Sequence, residues 1–120
     1  DVVVPRSRLI DLVSFAAELQ DEFGFPVACF GHAGDGNIHV NIMVPTMEDP
    51  AIRERAEAAL DKLFLQVIAW KGAITGEHGV GIAKHRWWRH AIPDVAHQTH
   101  LAVKKALDPN GILNPGKFLD

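Results

Sequence analysis

Apolar positions along the chain alternate between helical stripes and short extended runs, and the switches between them are marked by proline and glycine. Val2-Val3-Val4 is extended, and Pro5 ends it because the residue before a proline avoids the helical region. A helix opening at Pro5 or Ser7 carries Leu9, Leu12, Val13, Ala16 and Leu19 as one apolar stripe, and Gly24 is its C-cap. Two strand-like runs follow, Val27-Ala28-Cys29-Phe30 and Val40-Asn41-Ile42-Met43-Val44, on either side of a glycine-rich turn, which is a hairpin signal that ends at Pro45.

Asp49-Pro50 reads as an N-cap with proline at the first helical position. The helix it opens presents Ile52, Ala56, Ala59, Leu60, Leu63, Phe64, Val67 and Ile68, and Gly72 stops it. Ala73-Ile74-Thr75 is a short strand candidate. A helical turn or two is expected within 82–90, with Trp87 and Trp88 facing inward, and a third long helix over Val95 to Leu107 after the Pro93-Asp94 cap. Residues 108–118 form a series of turns. This order predicts an α+β fold, ferredoxin-like, with a mainly antiparallel sheet and helices packed on one face.

The turn decides what the hairpin can do. Asp35-Gly36 favours a two-residue type I′ turn, since both central residues then need positive φ. That register sets His32 directly opposite His39, with Cβ atoms roughly 4.5–5.5 Å apart on one face. A loop of three to five residues fits Gly34–Asn37 as well. In either case Asn41 points to the same side of its strand as His39.

Composition narrows the class. With 120 residues, 48% hydrophobic, the chain is expected to be one compact globular domain. A net charge of −3 without a Lys or Arg run argues against a nucleic-acid surface. No apolar stretch is long enough for a transmembrane span. Cys29 is the lone cysteine and is expected to be an inert core thiol; a reducing, cytoplasmic setting fits, with any membrane association peripheral and through partners. Because the chain begins at Asp1 within an extended segment, it reads as a piece of a longer protein.

Gly76-Glu77-His78-Gly79-Val80-Gly81 adds what the hairpin lacks. Two histidines and a carboxylate form a ligand set that leaves open positions on a metal, suited to Zn²⁺ and also to Mn²⁺ or Fe²⁺. The expected ligands are His32, His39 and Glu77, with His78 left free as a general base. The glycines let the backbone bend so that the adjacent Glu77 and His78 can turn toward one site. Asp35 is a turn former, and His85, His90, His97 and His100 lie on expected helices with no carboxylate partner. These residues alone also permit a self-sufficient His₂Glu metal hydrolase, or a non-catalytic ferredoxin-like module with structural histidines.

Three stretches in order, Gly-His-Ala-Gly-Asp-Gly-Asn-Ile-His-Val-Asn (31–41), Gly-Glu-His-Gly-Val-Gly (76–81) and Leu-Asp-Pro-Asn-Gly-Ile-Leu-Asn-Pro-Gly-Lys (107–117), resemble the C-terminal domain of FAD-linked oxidases. The branch is that of D-lactate dehydrogenases, the glycolate oxidase FAD subunit and D-2-hydroxyglutarate dehydrogenases, and the opening Asp1-Val2-Val3-Val4-Pro5-Arg6-Ser7-Arg8-Leu9 fits the entry to that domain. The resemblance implies that residues 1–120 are a substrate- and metal-binding cap, and that FAD is held mainly by a separate N-terminal domain. It further implies a divalent ion, usually Zn²⁺, on His32, His39 and Glu77, and a 2-hydroxy acid substrate. His78 is then the base that takes the hydroxyl proton while hydride leaves Cα for the flavin. Asn41 helps to hold substrate, and Asn114 lies near the flavin. The chain lacks the upstream Arg and Lys that meet substrate carboxylates, and Arg6 is expected to be structural rather than their substitute. The isolated piece is therefore expected to have no turnover, and the electron acceptor and the particular hydroxy acid stay open.

Overall fold

Strands β1 (Val2–Val3), β2 (Val27–His32) and β3 (Asn37–Ile42) form an antiparallel sheet in the order β1-β3-β2, in a computed structural model that describes residues 1–119. Two helices complete this part of the chain, α1 (Leu9–Phe23) after a 3₁₀ turn at Arg6–Arg8, and α2 (Pro50–Ala69). Opposed residues share a face, and Val2 with Ile38, Cys29 with Val40 and Val27 with Ile42 make one side apolar. Leu12, Ala16 and Leu19 of α1 and Ala56, Ala59, Leu63, Phe64 and Val67 of α2 are buried with Val2, Ile38 and Val40. The expected stripe of α1 is thus met except at Val13, which is 52% exposed beside the fully outward Ile10.

Capping follows the sequence signals. Gly24 is left-handed (φ 68°), and its N–H donates to the Gln20 carbonyl at 2.9 Å. Asp49 accepts from the Ala51 and Ile52 N–H groups at 2.8 and 3.4 Å, with Pro50 at the first helical position. The end of α2 differs from expectation. Lys71, not Gly72, adopts the left-handed conformation (φ 59°), whereas Gly72 lies so close to β1 that a Cβ there would stand 2.3 Å from the Val3 carbonyl oxygen. Gly72 is needed for close approach. The strand expected at Ala73–Thr75 is reduced to a single antiparallel bridge, Val3 with Ala73, made by two 2.8 Å hydrogen bonds.

The chain divides into two compact units, Asp1–His78 and a second from Gly79 onward. The second contains α3 (His85–Ala91) and α4 (Asp94–Leu107). Trp87 and Trp88 are buried as expected, and Trp88 packs its ring on His100 and Phe118 at centroid distances of 5.1 and 4.9 Å. Asp108 ties α4 to the following turns: its carboxylate accepts from Lys104 Nζ and from the Ile112 and Leu113 N–H groups, the latter two at 3.0 Å. No helix among the described residues is long and apolar enough to cross a membrane.

Candidate active site on the polar face of the sheet

The hairpin turn is not the two-residue type. Ala33–Asp35 make a 3₁₀ turn, Gly36 takes φ 77°, and the register pairs His32 with Asn37, Gly31 with Ile38, and Phe30 with His39. The longer-loop alternative is the one adopted, and the direct opposition of His32 and His39 is corrected. The cause lies outside the hairpin: Gly36 sits against β1, where its carbonyl accepts from the Val4 N–H at 3.0 Å and a Cβ would stand 2.3 Å from the Val4 carbonyl oxygen. The register moves by two residues, an even number, so no side chain changes face. Asn37, His39 and Asn41 therefore stay together with His32 and Phe30 on the side of the sheet opposite the helical core.

The loop after the Ala73 bridge supplies the other residues. Glu77 Oε1 is 3.0 Å from His39 Nε2, 3.8 Å from His78 Nε2 and 3.9 Å from His32 Nε2. Three imidazoles thus converge on one carboxylate oxygen. His39 is the inner member, its side chain only 12% exposed, with its ring stacked on Phe30 at 5.3 Å and tilted against His78 at 4.8 Å. His32, Glu77 and His78 are open to solvent. These distances all run to Oε1, and the histidine nitrogens would have to draw closer by side-chain rotation to share one ion through bonds of about 2.0–2.2 Å. The set offers imidazole nitrogens and a carboxylate oxygen, donor types that a divalent cation takes.

Asp1 was not among the residues singled out from sequence, yet its carboxylate lies at the centre of the loop. It accepts from Asn37 Nδ2 (2.9 Å), Thr75 Oγ1 (2.8 Å), and the N–H groups of Gly76 (3.1 Å), Glu77 (3.3 Å) and His78 (3.0 Å). Asn37 is buried and also donates to the Val2 carbonyl at 3.0 Å. Among the described residues, ligand atoms of Asp1, His39 and His78 fall within 4.8 Å of one another, which makes these three a possible ligand group, one that omits Glu77 and His32. Five donors nevertheless already occupy the Asp1 carboxylate, which offers about four lone-pair sites. Period two could have flagged Asn37, since it is in phase with His39 and Asn41. Nothing local marks Asp1.

The remaining candidates are placed as follows. Asn41 is exposed on β3, opposite Ala28 and on the same face as His39. Asn114, in the second unit, is exposed and left-handed (φ 47°), and it lines a cavity of about 320 Å³ with Lys104, Leu113 and Lys117. His100 Nδ1–H donates to the Ala96 carbonyl at 2.7 Å, a structural bond within α4. Cys29 lies half-buried in β2, and burial pushes its thiol above the ordinary value. Among the described residues, neither glycine-rich stretch runs from a strand straight into a helix N-terminus, the arrangement that cradles a dinucleotide pyrophosphate.

Comparison with known proteins gives the family. Residues 1–118 match the family described as FAD linked oxidases, C-terminal domain. The chain is 36% identical over 118 residues to a D-lactate dehydrogenase of Anaerostipes hadrus, covering 98% of this chain and 25% of that protein. It is 36% identical over 118 residues to the glycolate oxidase subunit GlcD of Bacillus subtilis, again 98% of this chain and 25% of that protein. A mitochondrial D-2-hydroxyglutarate dehydrogenase of Danio rerio is 33% identical over 120 residues, 99% of this chain and 22% of the relative. The chain thus spans about a quarter of the length of the curated relatives it matches, and it belongs to the FAD linked oxidase C-terminal domain family.

Proposed function

We propose that the chain is the substrate- and metal-binding part of an FAD-dependent D-2-hydroxy acid dehydrogenase or oxidase. The observation that carries the reading is the convergence of His32, His39 and His78 on Glu77 Oε1, on the polar side of the sheet. His32, His39 and Glu77 are the proposed ligands of a divalent ion, Zn²⁺ first. Such an ion would supply Lewis acidity toward the substrate alcohol, and FAD, held mainly by another domain, would supply the hydride acceptor.

The chain's own residues do the rest. His39 is fixed by stacking on Phe30, so one ligand is rigid and pre-oriented. His78 reaches the same site from the glycine-rich loop, and its Nε2 can accept the hydroxyl proton. Asn41, two residues beyond His39 on the same face, offers an amide to the substrate carboxylate or hydroxyl. Asn114 is proposed to face the flavin. The fold is read as a ferredoxin-like cap whose last strand is reduced to the Ala73 bridge, supported by the order Ala73-β1-β3-β2. A reducing, cytoplasmic compartment is the proposed setting, supported by the lone thiol.

The test separates ligand from base in the full-length flavoprotein. Glu77→Gln is expected to lose stoichiometric metal by elemental analysis and with it turnover of D-lactate, glycolate or D-2-hydroxyglutarate. His78→Gln is expected to keep the metal and lose about 10²–10⁴-fold in kcat. Full metal content and normal turnover in Glu77→Gln would overturn the proposal. A metal-loaded protein that hydrolyses esters or amides without flavin would place it in a different class.

A further inference from the structure

We infer that Asp1 is a positioning residue that builds the loop carrying Glu77 and His78. This rests on the site reading above and adds to it the origin of the loop's shape. Glu77 and His78 are neighbours in sequence and would point apart in a regular strand. Here their backbone N–H groups, with that of Gly76, turn toward a single carboxylate, and Thr75 Oγ1 and Asn37 Nδ2 complete the ring of donors. Three successive N–H groups aimed at one anion form a concave nest. The nest folds the peptide around Asp1 and leaves both side chains directed to His39 of β3.

Two further features show that the nest is built for this residue. Gly76 has no room for a side chain: a Cβ would stand 2.2 Å from Asn37 Nδ2 and 2.9 Å from Asp1 Oδ1. Asn37 is buried, and its amide is held on one side by Asp1 and on the other by the Val2 carbonyl. Strand β1, strand β3 and the loop are thus joined at one carboxylate. Groups that orient metal ligands from behind commonly change metal affinity by 10–100-fold when removed.

The experiment uses the full-length protein with Zn²⁺ as the probe, in wild type, Asp1→Asn and Thr75→Val. Amide exchange over residues 75–78, Zn²⁺ affinity by chelator competition, and the unfolding midpoint are measured together. Asp1→Asn is expected to speed exchange at 75–78 by 10-fold or more and weaken Zn²⁺ at least 10-fold, with exchange in α1 and α2 unchanged. Thr75→Val keeps the Asp1 charge and removes one donor, so a smaller change in the same direction separates positioning from simple charge. Wild-type exchange and wild-type Zn²⁺ affinity in both variants overturn the inference, as does faster exchange throughout Asp1–His78, which is a general structural role. If Asp1→Asn does not fold, Thr75→Val decides. If the wild type binds no Zn²⁺, the metal reading fails, and exchange at 75–78 alone decides whether Asp1 shapes the loop.

Discussion

Adding one methyl group at Gly76 tests the loop most sharply. In Gly76→Ala the new Cβ would lie 2.2 Å from Asn37 Nδ2, 2.8 Å from its Cγ and 2.9 Å from Asp1 Oδ1, all well inside contact distance. The obvious relief is rotation of the short Asn37 side chain, but that amide is buried and makes two hydrogen bonds, to Asp1 at 2.9 Å and to Val2 at 3.0 Å. Leaving a buried amide unsatisfied costs about 1–3 kcal/mol. If Asn37 instead stays, the loop must shift away from Asp1, with an overpacking cost of about 1–3 kcal/mol. A loss of about 1–3 kcal/mol is expected whichever group yields. The assay is native-state hydrogen exchange across Asp1–His78 in the full-length protein, compared with Gly34→Ala, where a Cβ meets nothing within 4 Å and φ is not positive. Gly34→Ala should be within about 0.5 kcal/mol of wild type, as for ordinary surface changes. A loss under about 0.5 kcal/mol in Gly76→Ala would falsify the tight joint between Gly76, Asn37 and Asp1.

Two further expectations concern other parts of the chain. Asp49→Ala removes the acceptor for the first N–H groups of α2 and should cost about 1 kcal/mol by denaturant unfolding, with Asp49→Asn nearly neutral. Asp108 is held below its ordinary value of 3.8 by the Lys104 hydrogen bond first, then by the Leu113 and Ile112 N–H groups, against an opposing effect of burial. A lowered folded value means that its stabilisation is complete above about 3.8 and is lost as pH falls through the lower folded value. Exchange at Ile112 and Leu113 should therefore rise selectively in acid, and Asp108→Asn should abolish that pH dependence at those two amides.

Local chemistry made much of this protein legible from sequence. The Asp49-Pro50 start of α2, the Gly24 end of α1 and the apolar stripes are short-range effects, and each is formed where the pattern puts it. Strand alternation likewise put His32, His39 and Asn41 on one face, and that assignment survives because the actual register differs by two residues rather than one. Gly36 was legible as a turn former and does take φ 77°, but the sequence could not show that it and Gly72 also lack room for a side chain, because the Val4 and Val3 carbonyls lie within a Cβ's reach.

Only the tertiary structure decided the hairpin register, since the contact that favours the longer loop comes from Val4, more than thirty residues away. It also decided that Glu77 meets His39 at 3.0 Å and that Asp1 sets the loop on which this depends. A carboxylate's partners are chosen by which N–H groups the folded chain leaves unpaired near it, and no spacing rule connects Asp1 with residues 75–78. Sequence singled out His32, His39, Glu77 and His78 as the candidates for a 2-hydroxy acid site. The fold supplied the anion around which two of them are turned into place.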